Sequence, residues 1–388
     1  MNKLRLRTKI ETILVTFLLL SIAAATVLSL TRTISDTHDD MDTFIRNSKG
    51  NYWEATGDNI QIAIDDLSST NGGTVWVGSD VTLYSTIYMN DKVQLDFQNN
   101  KVTLGNNIEF VIFTECQWAS VKNAYVTPST YHTKSIIVVY CDPSSGWDEH
   151  CRHNTVENIR IVESSAYTRQ HNWTGIHLKM DGDSDIALNT FRDVSMYGCR
   201  NGILLESNHN GAWANGNYFE NIWISRFING VWFDDIDGNS FNANVFTNVK
   251  LQTIDGDGSE GGQPTGYTEP MYGFRNICGN ANHFDHCLVW DWYVADDPQY
   301  AWWIGPDAKY TEIDDHASGK WNYEYTLDEG TETTLTMGGY VFPRIVVQDW
   351  QPNTMPNNSS VIWIDSNDND RTYLVFNWNG DLRKVELT

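Results

Sequence analysis

The sequence predicts an all-β chain wound as a right-handed parallel β-helix, with a short N-terminal capping helix and a small C-terminal β-module. Three observations predict it: one motif recurs at a nearly constant spacing, a second keeps the same spacing, and Asn is overrepresented, at 37 of 388 residues. The first motif reads Asn189-Thr-Phe191-Arg-Asp193-Val-Ser-Met196, then Asn217-Tyr-Phe219-Glu-Asn221-Ile-Trp-Ile224, then Asn244-Val-Phe246-Thr-Asn248-Val-Lys-Leu251, with starts 28 and 27 residues apart. Looser copies begin at Asn154, 35 residues earlier, and at Asn282, 38 residues later. The second motif, at Gly175-Ile-His-Leu178, Gly202-Ile-Leu-Leu205 and Gly230-Val-Trp-Phe233, recurs after 27 and 28 residues. Repeats of this length stack so that each unit buries its apolar face against its neighbours. A propeller blade needs four strands in roughly 40 to 45 residues, too many for such a unit. One unit per β-helix rung fits, and it explains the Asn: this residue tolerates left-handed corners, and its amide can bond from rung to rung.

The elements follow in order. Lys3, Arg5, Arg7 and Lys9 precede an uncharged run from Thr12 to Leu30, so residues 1–30 read as a secretory signal peptide or a retained membrane anchor. Residues 31–50 are polar and read as a linker. Asp58 is a candidate N-cap for a helix with Ile60, Ala63, Ile64 and Leu67 on one face, stopped by Asn71-Gly72-Gly73. Short strands are expected at Thr74–Val77, Val81–Tyr84, Val93–Phe97 and Val102–Leu104. The β-helix is expected over 51–308, a connecting region over 309–340 and the C-terminal module over 341–388. In that module Val361–Asp365, Thr372–Trp378 and Leu382–Leu387 read as strands, with Asn379-Gly380 a hairpin turn.

Composition narrows the function. Fifty acidic side chains against 26 basic ones give a net charge of -24, which disfavours a nucleic-acid partner. With 41% hydrophobic and 13% aromatic residues the chain is not a disordered acidic tail. Removing residues 1–30 leaves 22 basic against 49 acidic side chains, a charge of -27. An exported chain with six cysteines suggests disulfides, and proximity in sequence suggests Cys141 with Cys151 and Cys278 with Cys287, leaving Cys116 and Cys199. Asn172, Asn357 and Asn358 begin N-glycosylation acceptor patterns.

From Gly57-Asp-Asn-Ile60 through the helix to Gly72-Gly-Thr-Val-Trp-Val77, and on to about Ile304, the sequence resembles the pectate-lyase-like β-helix superfamily. The resemblance implies a helix capping the first rung and a Gly-Gly turn into the first strand. It also implies a polysaccharide or cell-surface glycan partner, since many members bind or cleave acidic polysaccharides and others are viral tailspikes or surface proteins. The Asn-Thr-Asp, Gly-His-Gly and Arg-Ile-Lys motifs of polygalacturonases have no counterpart. Val231-Trp-Phe-Asp234-Asp235 is similar to a pectate-lyase segment that ends in His, and the arginine motif supplying the lyase base is missing. The C-terminal module loosely resembles modules of phage and archaeal virus fibre proteins, for which a homotrimer or filament is expected.

Strand alternation names the outward residues. With Ile176 and Leu178 inward, Lys179, Glu206 and Asp234 form one ladder and His177, Leu204 and Trp232 the next. Carboxylates on adjacent rungs repel, so Glu206 and Asp234 are candidate catalytic acid and base, with Lys179 and Trp232 binding substrate. The alternative is a solvated charge ladder in which Lys179 offsets Glu206. A second face stacks Arg160, Ser195, Trp223 and Lys250 beside Tyr197, Ser225 and Gln252, a cationic and aromatic lining suited to an acidic glycan. Asp181 and Asp183 on one turn, and Asp255 and Asp257 on another, are candidate calcium ligands, although neither turn matches an EF-hand loop.

Overall fold

The computed structural model describes residues 44–387 except 70, 130, 142–149, 163–171, 183–184, 210, 237, 239, 253–271, 291–299, 316–325, 338–339, 343, 349–358, 366–370 and 379–380. The segment 1–30, Asp183, Asp255, Asp257, Asn357 and Asn358 therefore lie outside the described residues. Among those residues no helix is long and apolar enough to cross a membrane.

The chain is a right-handed parallel β-helix. Its first long sheet runs from Gly73–Val77 through Val93–Leu104, Ser120–Thr127, Thr155–Val162 and Thr190–Tyr197 to Glu312–Asp315 and Thr334–Met337. A second sheet stacks nine strands in parallel, among them Ser135–Cys141, Thr174–Met180, Asn201–Ser207, Asn229–Asp235, Tyr272–Asn280 and Tyr300–Lys309. Four short strands make a third sheet: His150–Arg152, Asp185–Ala187, Trp213–Asn215 and Phe241–Asn242.

The 12-residue helix Gly57–Ser68 buries Ile60, Ala63, Ile64 and Leu67, as the apolar spacing requires. Its N-cap is Thr56 rather than the expected Asp58, which lies in the first turn, where its charge suits the helix dipole. Gly72 has a φ of +84°, and a Cβ there would stand 2.3 Å from the Lys92 carbonyl oxygen, so only glycine fits this turn. The two strands expected at Val93–Phe97 and Val102–Leu104 are one, Val93–Leu104, bent at Gln98 and Asn99, which have φ of 52° and 65°.

The repeat template resolves into two different asparagine positions. Its first residue, at 154, 189, 217, 244 and 282, is buried in every copy. There the backbone N–H and Nδ2 of Asn189 both donate to Asn217 Oδ1, at 3.1 and 3.0 Å, and Asn217 does the same to Asn244, as does Asn244 to Asn282. Its fifth residue, at 158, 193, 221, 248 and 286, sits at a corner with φ between 52° and 56°. Those corner side chains also bond between rungs, Asn248 to Asn221 at 2.8 Å and Asn221 to Asp193 at 3.1 Å. Corner geometry and rung-to-rung bonding thus both account for the asparagines, with the buried ladder adding a position free of positive φ.

Two residues after four of the five buried Asn, Phe191, Phe219, Phe246 and Phe284 stack down the core with centroids 5.0, 4.6 and 4.8 Å apart, and Val156 takes that place after Asn154. At Gly202 a Cβ would lie 2.6 Å from the Gly230 carbonyl oxygen, which explains the glycine of the second motif.

Three expectations need correction. All six cysteines are free, buried thiols. Cys278 lies on a strand of the second sheet, while Cys287 lies just before the first-sheet strand Leu288–Trp290, so the two are not paired by being near in sequence. The Cys141 thiol is pushed up by its hydrogen bond with Cys151 and by burial, and Cys151 Sγ lies 3.4 Å from the Phe113 carbonyl oxygen. Such thiols fill the core as small apolar groups. Second, the region 309–340 is more than a connection, because Glu312–Asp315, Thr326–Asp328 and Thr334–Met337 pair in parallel with the solenoid. Third, the expected linker 31–50 includes the strand Phe44–Asn47, which pairs antiparallel with Gly73–Val77.

The C-terminal module is a four-stranded sheet. Arg344–Gln348 runs parallel to Ser359–Asp365, and Arg371–Trp378 and Asp381–Leu387 complete an antiparallel meander.

Candidate functional site

Both outward ladders form as strand alternation requires. Lys179, Glu206 and Asp234 are in register on three successive strands, and so are His177, Leu204 and Trp232. The next rung adds Arg275 opposite Trp232. Its guanidinium lies 4.3 Å from the centre of the Trp232 ring and 4.8 Å from that of Tyr272, and donates to Asn229 Oδ1 at 3.1 Å. Sequence spacing missed Arg275 because the long segment 253–271 interrupts the period; Gly273 alone signals the motif there.

Glu206 accepts from His177 Nε2 at 2.9 Å and from Asn208 Nδ2 at 2.6 Å. These bonds, the one from His177 foremost, hold its carboxyl down to about 2 against the opposing effect of burial. Asp234, one rung on, shifts the other way: burial raises it, the Glu206 charge raises it further, and Arg275 opposes. Hydrogen bonding on Glu206, and burial with the Glu206 charge second on Asp234, therefore separate the two carboxyls, with Asp234 the one that keeps its proton to higher pH.

Lys179 helps to lower Glu206 through its charge, as the charge-ladder alternative has it, but makes its ion pair elsewhere. Its Nζ closes on Asp181 Oδ2 at 2.7 Å and lies 5.4 Å from the centre of the Tyr140 ring. Glu206 is engaged by His177 and Asn208, and Asn208 Nδ2 also donates to Asp181 Oδ1 at 3.1 Å, so Asn208 bridges the two carboxylates. His177 is on the outer face as expected but only 9% exposed, because its Nδ1 meets Ser135 Oγ at 2.9 Å while Nε2 meets Glu206.

The second predicted face lies on the other long sheet. Arg160, Ser195, Trp223 and Lys250 are in register, and so are Tyr197, Ser225 and Gln252. Trp223 is 49% exposed, the Arg160 guanidinium lies 5.5 Å from the centre of the Tyr125 ring, and that of Arg226 lies 4.9 Å from the Tyr197 ring. The structure thus separates the predicted site residues into two surfaces. Lys179, Glu206, Asp234 and Trp232 come together on the second sheet, and Arg160, Tyr197, Trp223 and Lys250 on the first.

Among the described residues no group of three or more ligating side chains could hold a metal ion. Asp181 is paired to Lys179, and Asp185, at the start of the strand Asp185–Ala187, to Arg152. Asn172 is exposed, as glycan attachment would require.

No family model and no curated protein matches the chain. Solved structures similar to it include the following two. One, titled "Geobacillus virus E2 - ORF18", is 14% identical over 85% of this chain and 82% of its own, with a TM-score of 0.34. The other, a hyperthermoactive exopolygalacturonase from Thermotoga maritima, is 12% identical over 74% of this chain and 88% of its own, with a TM-score of 0.26. Neither likeness carries an argument about activity. The parallel-sheet architecture itself fits the pectate-lyase-like superfamily.

Proposed function

We propose that the outer face of the second sheet binds a polysaccharide and that Asp234 and Glu206 cleave it. The observation that carries this reading is the opposite shift of two carboxyls on neighbouring rungs, Asp234 raised and Glu206 lowered. An acid that protonates the departing oxygen and an anion that serves as base or nucleophile are the pair that glycoside hydrolysis uses. Trp232 offers a ring for a sugar to stack on, and Arg275 beside it offers a charge for a carboxylated sugar. In this reading residues 1–30 export the chain, which works outside the cell or at its surface.

The test is Glu206→Gln and Asp234→Asn, assayed on acidic and neutral glycans for released reducing or unsaturated ends. Each substitution should slow cleavage by about a hundredfold or more. Cleavage at the unsubstituted rate would remove both residues from the chemistry.

A second reading is a non-catalytic spike or fibre that adheres to glycans. The exposed Trp223 and Tyr218 on the first sheet favour it, since large exposed rings are typical of contact surfaces. A trimer or filament in light scattering that releases no sugar would support adhesion; a monomer that releases sugars would support the enzyme.

A further inference from the structure

The ladder that holds His177 is otherwise apolar up to Trp232: Val138, Leu204 and Trp232 occupy the matching positions on the neighbouring rungs. One polar ring in such a column needs a reason. Its two nitrogens are both engaged, at 2.9 Å each, by a hydroxyl on one side and a carboxylate on the other. Ser135 departs from its own ladder as well. On the later rungs Asn201 donates to Thr174 and Asn229 to Asn201, along the stack, whereas the Ser135 hydroxyl turns to His177.

We propose that Ser135, His177 and Glu206 form a hydrolytic relay that cleaves esters by acyl transfer. Three successive strands of one sheet supply them, so their spacing is set by rigid backbone rather than by loops. The anionic Glu206 fixes the proton on Nε2, leaving the Nδ1 lone pair to accept the Ser135 O–H. This is nucleophile, base and orienting acid in hydrogen-bond contact, the arrangement that activates a serine.

The step balances with water as the only co-reactant. Ser135 Oγ bonds to the ester carbonyl carbon while its proton passes to His177 Nδ1, and Glu206 stabilises the imidazolium. The carbonyl–alkoxy bond then breaks, and the alcohol leaves with the proton from Nδ1. Water, deprotonated by His177, attacks the acyl-serine, releases the carboxylic acid and restores Ser135. The substrate class is a short-chain acyl ester on a sugar hydroxyl. Only the sugar part rests on the glycan-binding reading above, and the ester cleavage stands on Ser135 and His177.

The experiment uses the full chain with a fluorophosphonate probe and p-nitrophenyl acetate. Peptide mapping should find the probe on Ser135. Ser135→Ala and His177→Ala should each lower acetate release at least a hundredfold. A Ser135→Cys variant guards against a misfolded alanine variant, because it should be alkylated by iodoacetamide at residue 135 while the six buried native thiols are spared. An unlabelled Ser135 in folded protein, or full acetate release by Ser135→Ala, overturns the relay. The unsubstituted protein separates the two readings: Ser135 labelled in a chain that cleaves no glycan leaves the relay standing and removes the glycan reading, and glycan cleavage with Ser135 unlabelled does the reverse.

Discussion

The two long sheets are built from the same repeat, yet their outer faces differ in what their charges are bound to. On the second sheet Glu206 is gripped by His177 and Asn208, Lys179 by Asp181, and Arg275 lies between two rings. On the first sheet Trp223 stands half in solvent, with Ser195 and Lys250 beside it in register. Chemistry needs groups held in place, whereas adhesion needs only accessible ones. The difference teaches that a solenoid can keep one backbone geometry and still hold its outward side chains differently on separate faces.

The sharpest way to break this comparison is pH. The cleaving form needs Glu206 ionised and Asp234 protonated. Glu206 gains its proton as pH falls through about 2, and Asp234 loses its proton as pH rises through a value above the ordinary 3.8. A pH–rate profile on a cleaved glycan should therefore peak on the acidic side and fall about tenfold per unit on its basic limb. A rate that is flat from acid to neutral pH would return the second face to the status of the first.

A smaller effect separates the cations. Arg275→Ala removes the cation offered to a carboxylated sugar; a partly exposed charge pair is worth about 1 kcal/mol, so the KM for an acidic glycan should rise about fivefold. Lys250→Ala on the first sheet should leave the KM for cleavage unchanged. Steady-state kinetics of the two variants checks the contrast, and an equal effect would place substrate across both faces.

Much of this was legible in the sequence, because strand alternation and a constant period are enough to align residues from different rungs. Lys179, Glu206 and Asp234 could be stacked by counting alone. What counting could not supply is the direction in which a long side chain turns, so the ion pair of Lys179 with Asp181 was not legible. Diagonal contacts were hidden for the same reason: Ser135 is 42 residues from His177, and its strand lacks the glycine that marks the motif in later copies. The cysteines misled because closeness along a solenoid chain often means different sheets rather than adjacent sulfurs.

The buried asparagine ladder gives the solenoid a direction. From Asn189 to Asn244 each member gives two hydrogens to the oxygen of the following rung, always toward higher residue numbers. A chain made from its N-terminus thus leaves a pair of open donors at its growing end, a debt of hydration that only the next coil can cancel. Winding should then advance one coil at a time, and pulsed hydrogen exchange should find the amide of Asn189 protected before that of Asn244; simultaneous or reversed protection would contradict this order. The column stops at Thr311, which faces the Asn282 position from the next coil, is fully buried and has a hydroxyl with no partner. The asparagine column thus ends one coil before the solenoid's last parallel strand, Thr334–Met337, so the final coil closes without that ladder.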